Sequence, residues 1–185
     1  MQRDEIPPGW DYNPASWDQR IPIIVLAVIG FAISGYLALY QFRIIPTVWD
    51  PFFGNGSIKI LNSPISNILP IPDAALGSLG YLADAVGGAI GGRRRWKTMP
   101  WIVVFFGIAV GPLGLVSIML VIFQPVLFDA WCSLCLLTAL ISIVMIGPSM
   151  DEVLASLQHL RRARASGHSL WRVFWGYDDV VKNTR

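Results

Sequence analysis

Residues 21–42, 101–123 and 126–146 form three apolar runs of 22, 23 and 21 residues that carry one charge among them, Asp129. A helix needs about 20 mostly apolar residues to span the hydrocarbon core of a bilayer. There its backbone must satisfy its own hydrogen bonds. Runs of this length therefore predict transmembrane helices and leave little room for any other architecture. Residues 74–90 make a weaker fourth candidate of 17 residues, interrupted by Asp84. Only 14% of the chain is charged, against about 25% in a soluble domain. The expected fold class is all-α: an integral membrane four-helix bundle over residues 21–146. A short segment, residues 1–20, precedes it and a tail, residues 147–185, follows.

Positive charge predicts the orientation. Under a four-helix reading, 12 of the 14 Lys and Arg fall on one side, leaving only Arg43 and Lys59 for the other. Lys and Arg accumulate on the cytoplasmic face. Both termini are therefore expected inside, in a bacterial inner membrane, with the 43–73 loop and a turn at Gln124 and Pro125 outside. The opening "MQRDEIPPGWDYNPASWDQR" lacks the basic start and small-residue cleavage site of a signal peptide, so the first helix is expected to remain as an anchor. Arginines beside membrane segments are explained by lipid headgroups, which argues against nucleic-acid binding. No repeated hydropathy unit suggests a transporter.

The 43–73 loop holds five prolines and two glycines, which argue against a long helix. It is also rich in Ile, Leu, Phe and Trp, and is expected to fold over the bundle as an external lid. Pro72 and Asp73 offer starting chemistry for the second helix. Asp84 lies within that helix, where an ionisable group is either functional or turned toward a neighbouring helix. In the tail, Ser149 and Glu152 have the spacing of a capping box. Val153, Leu154, Leu157 and Leu160 form an apolar face backed by arginines, the pattern of an amphipathic helix on an anionic leaflet. Trp171, Phe174, Trp175 and Tyr177 suit interfacial anchoring.

Cys132 and Cys135 are the only cysteines. Three residues apart, they share one face of a helix. A helix starting near Val126 would place them about 9 and 14 Å below its outer end. Cys132 is then the sulfur reachable from outside, and Cys135 faces the membrane interior. Such a pair could pass two electrons between an external thiol and a lipid-soluble carrier; the alternative is a pair of inert buried cysteines. A zinc site needs about four ligands, and His159 and His168 lie far from the cysteines in sequence, so no metal site is expected.

"ISGYLALY", "GSIKILNSPISNILPIPDAALGSLGYLADA" and "DAWCSLCLLTALIS", in that order and spacing, resemble the vitamin K epoxide reductase family, whose fold is a four-helix transmembrane bundle around a quinone. The resemblance implies that Cys132 and Cys135 form the redox centre, with Cys135 nearer a quinone of the ubiquinone or menaquinone type. It maps the family's loop serine onto Ser63, and the polar residue that hydrogen-bonds the quinone onto Asp73. It also implies a thioredoxin-like electron donor, here a separate periplasmic protein. One departure stands out. Active members usually carry a second cysteine pair in the first loop, and those positions fall on Ser57 and near Pro51. Two readings follow: a quinone-linked thiol oxidoreductase with a shortened relay, or a non-enzymatic accessory subunit of a larger membrane complex.

Overall fold

The computed structural model describes residues 5–64, 66 and 70–177. Among these, seven α-helices follow in order: α1 (Trp17–Gln41), α2 (Gly56–Leu61), α3 (Asp73–Ala89), α4 (Arg95–Thr98), α5 (Pro100–Phe128), α6 (Ser133–Ala165) and α7 (Leu170–Phe174). No strand occurs among the described residues. α1, α5 and α6 are long and apolar enough to cross a membrane. The 17 residues of α3 extend about 26 Å. α1 packs on α3 and α6, and α5 packs on the same two helices, so the four close into a membrane helical bundle. Ile23, Ala27, Tyr81, Phe106, Val110, Ile141 and Met145 fill its centre. Val25, Ile108, Leu115 and Leu140 are exposed on the outside, where lipid takes the place of water. Small residues bring the helices close. A side chain at Gly30 of α1 would collide with the Tyr81 ring of α3, whose nearest atom lies 2.6 Å from where a Cβ would stand.

One end of the bundle is tied by buried charge. The last carbonyls of α3 have no partners within their own helix. Arg20 of α1 donates to the carbonyls of Gly88, Ile90 and Gly91. Arg95 of α4 donates to those of Gly87, Gly88 and Ile90, and pairs through Nε and Nη2 with Glu152 of α6. The N-terminal segment packs at this same end: Trp10 Nε1 donates to Gln158 Oε1 at 3.0 Å, and Tyr12 donates to Asp151 at 2.7 Å. α7 folds back so that Trp175 meets Trp101 at the start of α5, with ring centroids 5.5 Å apart.

Two boundaries differ from the sequence expectation. Gln124 and Pro125 do not turn the chain. α5 runs through both to Phe128; in a membrane helix, neighbouring helices and side chains can re-satisfy the backbone groups that a proline frees. The reversal comes at Asp129, which adopts a left-handed conformation with φ 45°. The tail does not begin a new helix at Ser149, because α6 continues unbroken through Pro148 to Ala165. Glu152 is the buried partner of Arg95 and not a capping residue.

Candidate redox site

Where the chain reverses between α5 and α6, Gln124 organises the new helix start. Its backbone carbonyl accepts from the N–H groups of Asp129 and Ala130. Its side-chain Oε1 accepts from Cys132 N at 3.0 Å. Cys132 is the N-cap of α6, and its sulfur accepts from Cys135 N at 3.1 Å. It fills the place an Asp or Ser oxygen usually takes at a helix start. Cys132 and Cys135 are joined as a disulfide. The cysteine pair therefore sits at the first turn of α6 itself, not partway down a helix that begins at Val126.

The first loop closes over this turn. Asp50 is the fastener. Its Oδ2 accepts from Ser133 N at 3.1 Å and from Ser57 Oγ at 2.5 Å. Its Oδ1 accepts from the Ser133 hydroxyl and from the N–H groups of Phe52 and Phe53. Partial burial opposes ionisation of Asp50, but the bonds donated by Ser133, Ser57, Phe53 and Phe52 outweigh it and hold the carboxyl well below the usual carboxylate range. Gly56, at the start of α2, presses against the same strand of chain: a Cβ there would lie 2.0 Å from the Trp131 carbonyl oxygen. Beneath this cover Cys132 is 0% exposed. The expectation that Cys132 is the reachable sulfur is therefore corrected: it is fully buried.

Cys135 has a different outlook. It lines a cavity of about 660 Å³ bordered by all four long helices and roofed by Ile60 and Leu61 of α2, within the usual size of a small-molecule site. Leu37, Leu113, Leu120 and Val121 make its walls largely apolar. Leu76 and Val116, also on its border, are exposed on the bundle surface, so the cavity reaches the lipid side between α3 and α5. Its polar groups are few. Ser117 donates to the Leu113 carbonyl, Thr138 to that of Cys135, and Tyr81 to that of Thr138.

Asp73, expected from the sequence as a site residue, borders the cavity. Its Oδ1 accepts from Gln41 Nε2 at 2.7 Å and its Oδ2 from Ser66 Oγ at 3.1 Å. Ser63 is buried one step behind: its hydroxyl bonds to Ser66. Asp84 is 1% exposed, and one of its carboxylate oxygens has no hydrogen-bond partner among the described residues. It is not among the residues lining the cavity. Asp50, Ser133 and Gln124 do not stand out from the sequence. For Gln124 a signal exists, since an amide beside an otherwise apolar run calls for a partner. Asp50 and Ser133 meet across 83 residues, a separation no local pattern reveals.

These features combine a disulfide, an apolar cavity lined by one of its cysteines, and a lid closing over the other. No curated protein matches the chain. Residues 21–149, well over half of the sequence, match the vitamin K epoxide reductase family. The match takes in the lid, the cavity and both cysteines, and by it the chain belongs to the vitamin K epoxide reductase family.

Proposed function

We propose that this chain carries two electrons between an external dithiol and a membrane quinone through Cys132 and Cys135, without a second cysteine pair on the lid. The observation that supports this most is the position of Cys135 on the wall of an apolar cavity of about 660 Å³, in a family of quinone-linked thiol oxidoreductases. A bound quinone supplies an acceptor for two electrons and two protons. The chain's part begins when the lid lifts from Cys132. An external dithiol then exchanges with the Cys132–Cys135 bond, becoming a disulfide itself and leaving two thiols on the chain. Re-forming the bond between Cys132 and Cys135 releases two electrons and two protons toward the cavity. Asp73 is the acceptor for a hydroxyl at the ring edge, and Ser63 steadies it through Ser66.

In this reading both termini face the cytoplasm of a bacterium, the lid faces the periplasm, and a separate thioredoxin-like protein supplies the thiols. The quinone is of the ubiquinone or menaquinone type. The test is reduction of a short-chain quinone by purified protein with dithiothreitol as donor. Activity that disappears in Cys135→Ala supports the reading; equal activity in that variant eliminates it.

The complete burial of Cys132, together with Ser57 in the place of a relay thiol, favours a second reading, a non-enzymatic subunit of a larger membrane complex. Extraction in mild detergent separates the two. A chain that migrates alone counts against the complex.

A further inference from the structure

We propose that Gln124 is a quinone-binding residue, its side-chain amide donating a hydrogen bond to a ring carbonyl oxygen while its own oxygen holds Cys132. The proposal rests on the quinone reading above and adds to it the residue that orients the ring. Gln124 is 2% exposed and lines the cavity. The two ends of its amide are told apart by chemistry. Cys132 N–H is a donor only, so the end facing it at 3.0 Å is the oxygen. The NH₂ group is therefore turned the other way, and it donates to no other group among the described residues. An amide donor on the border of an apolar cavity, with no acceptor of the protein engaged, is open to a ligand with carbonyl oxygens.

The other polar groups of the cavity are less suited. The hydroxyls of Tyr81, Ser117 and Thr138 are spent on backbone carbonyls. Both oxygens of Asp73 already accept, and a carboxylate has no hydrogen to give a carbonyl. Ser34 also borders the cavity, but a hydroxyl within a helix can turn back to the carbonyl one turn earlier. Gln124 has no such alternative, because Cys132 fixes its oxygen. One side chain would thus set both the start of the redox helix and the position of the ring beside Cys135.

The test uses the purified full-length protein in detergent. It is titrated with a short-chain benzoquinone and, separately, with the 1,4-dimethoxy ether of the same ring and tail, following quenching of tryptophan fluorescence. Gln124→Met keeps the bulk and removes the donor, together with the oxygen that accepts from Cys132 N; binding of the ether reports that second loss separately. Losing one neutral hydrogen bond predicts about tenfold weaker binding of the quinone, with the ether unaffected. Equal quinone affinity in wild type and variant overturns the assignment while leaving the quinone reading intact. Absence of saturable quinone binding in the wild type sinks both. A second measurement needs no variant and so does not depend on its folding. In infrared difference spectra with ¹³C-labelled quinone, one carbonyl band of the wild-type complex should lie below its position in hexane; two unshifted bands overturn the assignment.

Discussion

Asp50 in the first loop and Ser133 between the two cysteines are joined twice, through the Ser133 backbone N–H at 3.1 Å and through its hydroxyl. A single carboxylate thus fastens the lid to the turn that carries the disulfide. Replacing it, as in Asp50→Asn, removes the charge that five donated hydrogen bonds converge on. Charge-assisted bonds of this kind are roughly twice as strong as neutral ones, so reduction of the disulfide by a membrane-impermeant phosphine should quicken about tenfold. Quantitative labelling of the released thiols measures it.

The same carboxylate predicts a dependence on pH. Its folded-state value lies well below the ordinary 3.8, so its contribution to closure is complete above about pH 4 and is lost as the pH falls toward the folded value. Impermeant reduction should accelerate on acidification below about pH 4 in the wild type, and this acid-side acceleration should be absent in Asp50→Asn.

Gly56 offers an independent way to lift the lid. A methyl group there meets the Trp131 carbonyl oxygen at 2.0 Å, and neither piece of backbone can absorb the overlap without moving. Gly56→Ala should make Cys132 more accessible to the same reductant while leaving the α-helical circular dichroism unchanged. An unchanged reduction rate would show that the seal does not depend on this contact.

Ser57 and Ser133 N–H bond to the same oxygen of Asp50, which places Ser57 next to the turn that carries Cys132. A thiol introduced by Ser57→Cys should form a mixed disulfide with Cys132 after partial reduction, detectable by peptide mass mapping. Exclusive recovery of the Cys132–Cys135 bond would argue that the lid holds Ser57 out of reach.

At the opposite end, Arg95 and Glu152 are each 1% exposed. Removing one partner of a buried pair leaves an uncompensated charge and costs about 3–5 kcal/mol. Glu152→Met should lower the thermal midpoint in detergent accordingly, and Arg95→Met with Glu152→Met should recover part of the loss.

The spans and the cysteine pair are legible in the sequence because run length and the two-residue spacing are local properties. Helix ends are not. Pro125 reads as a turn residue, yet α5 continues through it because the reversal is made by Asp129 in a left-handed conformation and by the Gln124 carbonyl. Ser149 and Glu152 read as a capping box, yet Glu152 answers to Arg95, 57 residues away. The apolar loop suggests a lid; its fastening to Ser133 depends on tertiary contacts that spacing does not encode.

The unbroken course of α6 changes how its basic residues meet their surroundings. Along the axis, Arg161 lies about 42 Å from Ser133 at 1.5 Å per residue, whereas the hydrocarbon core is about 30 Å thick. Arg161, Arg162 and Arg164 therefore stand farther from the start of α6 than one hydrocarbon thickness, on a direct continuation of the spanning helix and not on a separate one.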